Sequence, residues 1–309
     1  MILITEFMDL NAVKKLQQEF EVLYKPELAD TQNKIPSLLK NIKALIVRNR
    51  TKVNCDLLNN GPNILCIGRL GVGLDNIDIE VCKKKNISVY PAIGANTRSV
   101  VEYVITSSMI LLRGAYKYKP EMINGEWPRQ NANGNEVLGK TIGLIGFGEI
   151  AQETNKIAQL FGMKTQAYDP FINENNDLWK QTKKVELDYL LQTSDIISLH
   201  TPLTDKTYHL IDKEKLNLIK PNSVIINASR GGTIDEVELC KKLKEKKILG
   251  AALDVFEDEP LKKSKSVIFE NIENLILTPH IAGVTKEANV RVSDMIANLV
   301  ATHLKKEVN

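Results

Sequence analysis

The sequence predicts an α/β protein made of two doubly wound domains, each built on a parallel sheet. Two observations carry this prediction. Short apolar runs alternate with helix-period segments along the 309 residues, which is the rhythm of repeated βαβ units. The alternation is interrupted once, by the polar residues 124–135, and restarts at Thr141. A chain of this length can bury two cores of ordinary size.

The elements follow in order from this alternation. The first series contains five predicted strands, at residues 2–4, 22–24, 44–47, 64–67 and 87–90, with helices such as 11–19 and 77–84 between them. An apolar helix is predicted from Ser99 to about Tyr118. The second series contains six predicted strands, at residues 141–145, 165–168, 196–199, 223–228, 248–253 and 275–277. A final amphipathic helix is predicted over about 286–305. Six strands suit a doubly wound nucleotide-binding domain.

The segment GLIGFGEIA, residues 143–151, has the layout of a dinucleotide-binding turn between a strand and a helix. Gly146 permits the tight turn, and Gly148 lets a pyrophosphate approach the backbone at the positive end of the helix dipole. Asp169 ends the next strand, 23 positions after Gly146 and close to the spacing of about 20 expected for a ribose-binding acid. The residues that follow Asp169, PFI, are not basic, which favours NAD over NADP. The alternative is a turn that uses glycine only for packing.

The composition is that of an ordinary globular protein, with 43% hydrophobic and 26% charged residues. The net charge is only +3, and the lysine-rich residues 241–247 are typical of a solvated helix face, so we expect no nucleic-acid partner. The four cysteines form no C-x-x-C pair or His/Cys cluster, so we expect reduced cysteines and no metal site. The chain shows no basic signal segment and no run of eighteen apolar residues. A cytoplasmic protein without a membrane span is therefore expected.

Four groups of residues together resemble one family over essentially the whole chain. They are GVGLDNID at 71–78, the dinucleotide turn, NASRGG at 227–232, and LDVFEDEP at 253–260 with TPHIAG at 278–283. The resemblance is to the D-isomer-specific 2-hydroxyacid dehydrogenases. It implies two Rossmann-like domains, with a cofactor domain inserted into a substrate domain. Residues 1–98 and 284–309 would form the substrate domain, and 99–283 the NAD-binding domain.

The resemblance also implies a catalytic triad of Arg230, Glu259 and His280. Imidazole is the side chain that titrates near neutrality, so His280 would take the hydroxyl proton in oxidation. Glu259 would bond its other ring nitrogen, and Arg230 would bind the substrate carboxylate. Of the chain's four histidines, His200 is the one that could compete as the base.

Other site residues are implied by the same resemblance. The cofactor contacts it implies, beyond the glycine turn and Asp169, are Glu149, Ile150, Thr201, Ala228, Arg230, Asp254 and Gly283. Asp254 would meet the carboxamide of the nicotinamide. Val72 and Gly73 would offer backbone N–H groups to the substrate carboxylate.

Several arginines point to a substrate with a second anion. Arg48 and Arg50 follow a predicted strand of the substrate domain, and Arg69 precedes the Gly-Val-Gly loop. Guanidinium groups suit a phosphate or sulfonate. Phosphoglycerate dehydrogenases resemble the chain at Arg48 and Arg69. Residues 6–9, 47–51, 68–73 and 112–116 look closer to the bacterial sulfolactate dehydrogenases, which oxidise (S)-sulfolactate with NAD. Ordinary surface arginines remain the alternative.

Three other functions stay open at this point. The substrate could be 3-phosphoglycerate, or the enzyme could reduce glyoxylate or hydroxypyruvate, which needs no second-anion pocket. A different class is an NAD-sensing interaction protein, because some relatives of this fold act as corepressors and keep a similar triad. The apolar helix after Ser99 has more than one apolar face, which favours a homodimer over burial within one chain.

Overall fold

The computed structural model of the protein describes residues 1–306. The chain divides into two compact units. The first consists of Met1–Asn96 and the segment that begins at Val284, and the second is Thr97–Gly283. The boundaries between the units thus fall after Asn96 and after Gly283.

The first unit contains a sheet of five parallel strands. They are β1 Ile2–Ile4, β2 Val22–Tyr24, β3 Ala44–Val47, β4 Cys66–Arg69 and β5 Ser88–Pro91. Their order is β2-β1-β3-β4-β5, one of the two common doubly wound orders. Leu3, Leu45 and Ile67 on the central strands are fully buried, as expected for a parallel sheet covered on both faces.

The second unit contains a sheet of seven parallel strands. They are β6 Thr141–Ile145, β7 Lys164–Tyr168, β8 Lys183–Lys184, β9 Ile196–Leu199, β10 Val224–Asn227, β11 Gly250–Leu253 and β12 Leu275–Leu277. The order is β12-β11-β10-β9-β6-β7-β8, so the winding reverses between β6 and β9. The sequence predicted six of these strands and missed β8. This strand is two lysines long and lies at the sheet edge, so it has no apolar pattern to reveal it.

Helices connect the strands of both units. The α-helices of the described residues are α1 Leu10–Gln17, α2 Cys55–Asn59, α3 Ile79–Lys84, α4 Thr97–Arg113, α5 Lys119–Ile123, α6 Glu149–Leu160, α7 Leu187–Thr193, α8 Lys213–Leu216, α9 Glu236–Lys244, α10 Lys263–Ser266 and α11 Lys286–Lys306. Short 3-10 helices lie at Pro26–Ala29, Gln32–Lys34, Pro36–Asn41, Ala115–Lys117, Asp177–Lys180 and Val267–Phe269. None of the α-helices described has the length and apolar character needed to cross a membrane.

Helix α4 ends earlier than the sequence predicted. We expected it to continue to about Tyr118, but it stops at Arg113. Gly114 has a φ of 60°, a left-handed conformation that terminates a right-handed helix. A 3-10 turn and the short helix α5 follow it.

The helix N-termini differ in how their free N–H groups are satisfied. Asn54, Asp78, Asp212 and Asp235 cap α2, α3, α8 and α9 through their side chains. Such a cap accepts an amide hydrogen bond that the first turn cannot make internally. Helix α6 begins after Gly148 and has no side-chain cap. Its first amides are therefore left for another acceptor.

Candidate active site

The predicted cofactor and catalytic residues of the second unit follow the carboxyl ends of its strands. Because parallel strands all end at the same edge of a sheet, the loops after them lie together, and this edge is where doubly wound folds bind ligands. In chain order, these loops carry Gly146, Asp169, Thr201, Arg230, Asp254 and His280. The topology thus brings together residues that are up to 134 positions apart.

The turn after β6 contains two glycines, whose surroundings differ. Gly146 has a φ of 85°, and a Cβ there would lie 2.8 Å from the carbonyl oxygen of His200. Gly148 has an ordinary φ of −73°, and a Cβ there would meet nothing within 4 Å. The first glycine is therefore required by the fold itself. The second leaves open space in front of the uncapped amides of α6, as a pyrophosphate would need.

Two polar side chains complete the fit to a dinucleotide. The Asp169 carboxylate accepts the amides of Phe147 and Phe171, each at 2.9 Å, so it is held beside the glycine turn. The hydroxyl of Thr201 is buried and has no hydrogen-bond partner within the described residues. A buried hydroxyl without a partner is costly unless a ligand satisfies it. The open amides, the acid and this hydroxyl are the groups that a dinucleotide would use.

We expect Gly148→Ala to weaken NADH binding by about tenfold or more, because the methyl group occupies the space next to the α6 amides. Its melting temperature should fall by no more than about 3 °C, the cost of replacing a glycine N-cap. Gly146→Ala is the matched control. It should lower the melting temperature further, because a left-handed residue and a close contact with His200 cost about 1–3 kcal/mol. NADH fluorescence titration and thermal unfolding measure both effects. Wild-type NADH affinity in Gly148→Ala would contradict this placement of the cofactor.

His280 and Glu259 form a close pair in the second unit. The Nδ1 atom of His280 lies 2.6 Å from Oε2 of Glu259, and the other carboxylate oxygen accepts the Phe256 amide at 3.1 Å. Burial alone would raise the pKa of Glu259, but the hydrogen bond and charge of His280, the Phe256 amide and the charge of Arg230 together hold it below its usual value. An ionised carboxylate only accepts hydrogen bonds, so Nδ1 of His280 carries the proton. The Nε2 atom of a neutral ring is then the acceptor.

The loop that carries His280 is organised by Asp254. This residue is 1% exposed, and its carboxylate accepts the Thr278 hydroxyl at 2.6 Å and the amides of Ile281 and Ala282 at 2.8 Å each. His280 itself has a φ of 57°, and its amide donates to the Asp254 carbonyl at 2.8 Å. A left-handed backbone at a non-glycine residue persists only where its surroundings enforce it. The structure thus shows Asp254 holding this loop, while its contact with the carboxamide stays a prediction.

Arg230 lies in a loop that packs directly against the Glu259 loop. The Asn227 amide group donates to the Arg230 carbonyl at 2.9 Å, which fixes the start of the turn. A Cβ at Gly231 would lie 1.8 Å from the Phe256 carbonyl oxygen, so the two backbones are in contact at this point. This contact explains why the charge of Arg230 reaches the Glu259 carboxylate. The three residues of the predicted triad therefore belong to neighbouring loops.

The structure weakens the case for His200 as a competing base. Its Nε2 atom lies 3.0 Å from the Ser198 hydroxyl, and burial lowers its pKa to about 4. Its carbonyl oxygen packs behind Gly146. His209 has a different environment, with Nε2 at 2.8 Å from Glu257 and the ring stacked on Tyr208. His209 and Glu257 thus form a second His–Glu pair next to the first.

The predicted substrate loop of the first unit is built around a buried acid that the sequence analysis did not assign to the site. Glu6 follows β1 and is 3% exposed. Its carboxylate accepts the amides of Arg48 at 2.8 Å, Arg50 at 3.1 Å and Thr51 at 2.9 Å. These bonds fix the backbone of the loop after β3, so the arginine side chains project from a rigid turn.

The three predicted arginines of this unit have different surroundings. Arg48 donates from Nη2 to Asn289 at 3.0 Å, and burial lowers its pKa although Glu6 opposes the shift. Arg50 has a side chain 53% exposed and pairs with Asp30. The sequence grouped Arg50 with Arg48, but the structure turns Arg50 to a surface ion pair. The sequence did not reveal Asn289, because it lies in α11, far from Arg48 in the sequence. Glu6 was missed for the same reason of sequence distance.

Arg69 folds back over the loop that follows β4. Its Nη1 atom donates to the Leu70 carbonyl at 3.2 Å, and a Cβ at Gly71 would lie 1.6 Å from this nitrogen. Gly71 has a φ of 150°, so glycine is needed here for both space and conformation. Among the described residues, no hydrogen bond uses the amides of Val72 and Gly73. These amides are available to an anion, and their contact with the substrate carboxylate stays a prediction.

Two comparisons with known proteins decide the family. The model of the D-isomer specific 2-hydroxyacid dehydrogenase NAD-binding domain matches residues 105–282. The (S)-sulfolactate dehydrogenase of Chromohalobacter salexigens is 46% identical over 293 residues, which cover 94% of each chain. The chain is a D-isomer specific 2-hydroxyacid dehydrogenase. The predictions of this family, of an oxidoreductase and of an NAD-binding domain are confirmed.

Other relatives of this dehydrogenase act on other acids. The hydroxypyruvate reductase of Thermotoga maritima is 39% identical over 92% of each chain. The D-3-phosphoglycerate dehydrogenase of Methanocaldococcus jannaschii is 37% identical over 99% of this chain and 58% of its own length. The crystal structure of an Aquifex aeolicus D-lactate dehydrogenase with NAD and lactic acid has a TM-score of 0.88 and 27% identity, covering 100% of this chain and 96% of its own. Membership of the family therefore establishes the type of reaction. Which hydroxy acid is the substrate must be inferred from the residues of the site.

Proposed function

We propose that this dehydrogenase oxidises a D-configured 2-hydroxy acid that carries a second anion, and that (S)-sulfolactate, converted to sulfopyruvate, is its best substrate. The observation that carries the proposal is the half-buried Arg48 guanidinium, held on a turn that Glu6 fixes. The label S does not conflict with D-specificity, because sulfur raises the priority of the CH2 arm over the carboxylate and inverts the descriptor. The 46% identity to a sulfolactate dehydrogenase supports the choice of acid.

The triad residues supply the proton chemistry of the reaction. The Nε2 atom of His280 takes the hydroxyl proton as the C2 carbonyl forms, and returns it when the reaction runs in reverse. Glu259, bound to Nδ1 at 2.6 Å, keeps the ring in the tautomer that can accept this proton and stabilises the imidazolium that results. Arg230 binds the C1 carboxylate through its planar guanidinium. In the first unit, the amides of Val72 and Gly73 are the groups proposed to bind the substrate carboxylate.

The cofactor-binding residues are proposed to hold NAD, the hydride acceptor. NAD, when bound, accepts the hydride that leaves C2 of the hydroxy acid. The pyrophosphate would meet the turn at Gly146 and Gly148 and the amides of Glu149 and Ile150, and Asp169 would bind a ribose. Thr201, Ala228, Asp254 and Gly283 are proposed to line the remainder of the nucleotide.

The second anion is assigned to Arg48 and Arg69. A guanidinium that is already shielded from water gains more from an anion than a fully hydrated one, because less water must be removed and the local dielectric is lower. Arg50 is already paired with Asp30 at the surface, so we propose a smaller contribution from it.

The second candidate substrate is 3-phosphoglycerate. It offers the same arrangement of a 2-hydroxy acid and a tetrahedral anion, and the 37% identical phosphoglycerate dehydrogenase supports it. Comparison of kcat/KM for (S)-sulfolactate, 3-phosphoglycerate, D-lactate and D-glycerate decides between them. We expect both acids that carry a second anionic group to exceed both acids that carry only a carboxylate, with sulfolactate first. A preference for D-lactate or D-glycerate would contradict the second-anion site.

We also propose that the enzyme is a homodimer that associates through the apolar surface beside α4. A pocket of about 480 Å³ lies there, lined by residues that include Met109, Ile110 and Val137. Tyr116 and Leu138 at its margin are 76% and 70% exposed. Large apolar side chains grouped on one surface mark an association site more often than a solvated face. A second copy of the chain would cover them.

We expect the wild type to sediment as a dimer and Ile110→Glu to shift it towards the monomer, because a charge buried in an apolar interface is costly. Val237→Glu is the control, since Val237 is an apolar residue, 61% exposed, that lies on α9 and not on this surface. It should leave the dimer intact. Sedimentation velocity at several protein concentrations measures both. A monomeric wild type at micromolar concentration would rule the dimer out.

A further inference from the structure

Glu236 is a buried acid in the second unit to which neither the sequence nor the proposed function gives a role. It is the first residue of α9 and is 8% exposed. Its Oε1 atom accepts the Glu257 amide at 2.7 Å. Fully buried carboxylates are rare unless a specific interaction holds them. The partner here is the backbone of the turn that ends at Glu259.

The turn at residues 256–259 is held at two adjacent amides. The Phe256 amide donates to Glu259 itself, within the turn. The Glu257 amide donates to Glu236, which lies outside the turn and follows the Arg230 loop in the chain. The contact of Gly231 with the Phe256 carbonyl adds a close backbone approach between the same two segments. Glu236 therefore ties the turn that bears Glu259 to the segment that bears Arg230.

We propose that Glu236 is a positioning residue, whose carboxylate holds the Glu257 amide and so keeps Glu259 in register with His280 and Arg230. The inference rests on the roles proposed above for these three residues. A displacement of about 1 Å in a catalytic group is enough to lower a rate by about 100-fold, so a single fixed amide in this turn has a large effect on turnover.

The charges around Glu236 are consistent with a residue kept for function rather than for stability. Burial, together with the charges of Glu257, Asp258 and Glu259, raises its pKa to about 7, against the effect of the Glu257 amide. The thiol of Cys240, one turn along α9, also faces it, and His209 binds Glu257 on the other side of the turn. An apolar side chain at position 236 would avoid this repulsion but would leave the Glu257 amide without its acceptor.

Two substitutions separate the hydrogen bond from the buried volume. Glu236→Leu keeps a similar volume and removes the acceptor. Glu236→Gln keeps an acceptor oxygen and removes the charge. Glu238→Leu is the matched control, since Glu238 lies in the same first turn of α9 and makes none of the contacts above. All variants are measured as the full chain, by steady-state kinetics with the best hydroxy acid of the wild type, by NADH titration, and by hydrogen exchange at the Glu257 amide.

We expect Glu236→Leu to lower kcat by about 10- to 100-fold, with NADH affinity within about twofold of wild type. Exchange at the Glu257 amide should become faster. Glu236→Gln should rescue kcat to within about threefold of wild type and restore slow exchange, because the amide oxygen still accepts. Glu238→Leu should change neither kcat nor exchange. Wild-type kcat and slow exchange in Glu236→Leu would overturn the proposal, as would equal losses in the Leu and Gln variants.

Hydrogen exchange at the Glu257 amide distinguishes a failure of this inference from a failure of the proposed function. Faster exchange at Glu257 with unchanged kcat would overturn the positioning role of Glu236 and leave the role of Glu259 standing. If Glu236→Leu does not fold, the proposal is tested by hydrogen exchange on the wild-type protein. Its Glu257 amide, corrected for intrinsic exchange, should exchange more slowly than an amide without an acceptor, because the Glu236 carboxylate holds it. A Glu257 amide that exchanges at its intrinsic rate would overturn the proposal.

Discussion

His280→Ala is expected to lower kcat for hydroxy acid oxidation by about 10²- to 10⁴-fold, the usual contribution of a general base. NADH affinity should stay within about twofold, because the residues assigned to the glycine turn and to Asp169 are unchanged. The structure shows which nitrogen of His280 would act as the base. The Nδ1 atom of His280 is committed to Glu259 at 2.6 Å, so Nε2 is the nitrogen available to the substrate proton. Stopped-flow and steady-state assays of NADH formation, with NADH titration, measure both quantities.

His209→Ala is the matched control for this prediction. His209 also forms a His–Glu pair, with Glu257 at 2.8 Å, and also has a left-handed backbone, with a φ of 47°. It does not follow a strand of the sheet, and its ring stacks on Tyr208. We expect its removal to change kcat by less than about threefold. A His280→Ala enzyme that still turns over at the wild-type rate, or a larger loss in His209→Ala, would show that the base has been assigned to the wrong histidine.

Arg48→Ala is expected to lower kcat/KM for (S)-sulfolactate by about 10- to 100-fold. A hydrogen bond to a charged group contributes about 1.5–3 kcal/mol, and each 1.4 kcal/mol is a factor of ten. The loss should be mainly in KM, because the sulfonate lies away from the reacting carbon and is bound equally in the ground and transition states. For D-lactate, which lacks the second anion, the same substitution should change kcat/KM by less than about threefold. Initial rates over a range of both acids measure this difference.

Arg50→Ala provides the comparison on the same loop. Its guanidinium pairs with Asp30 and is 53% exposed, and exposed pairs contribute only about 0–1 kcal/mol. We expect an effect below about fivefold on sulfolactate. Equal losses for sulfolactate and D-lactate in Arg48→Ala would mean that Arg48 supports the loop rather than the second anion. A larger loss in Arg50→Ala would move the site to Arg50.

The sequence predicted the sheets well because their strands are buried on both faces. Strands such as Ile2–Ile4, Ala44–Val47 and Ile196–Leu199 have the predicted bounds, since each is a short apolar run between polar segments. The apolar pattern of the sequence did not predict the elements whose structure does not depend on burial. Strand β8 consists of two lysines, and α4 stops at Arg113 because Gly114 after it is left-handed.

The candidate site could be predicted where a residue follows a strand directly. Gly146, Asp169, Asp254 and Arg48 are each the first residue after a strand, so local patterns reveal them. Glu6, Asn289 and Glu236 could not be found in this way. Each acts on a partner distant in sequence, such as the 42 positions between Glu6 and Arg48. Only the folded chain shows that these polar side chains hold the loops on which the recognisable residues lie.

The buried Glu6 carboxylate has a consequence for how the loop after β3 can bind an anion. Since it occupies the main-chain amides of Arg48, Arg50 and Thr51, this turn has few backbone donors left with which to bind an anion. An anion that binds this turn would then be held by side chains rather than by the main chain. Replacements at positions 48 and 50 should therefore change which acid the enzyme prefers while the backbone of the turn stays in place.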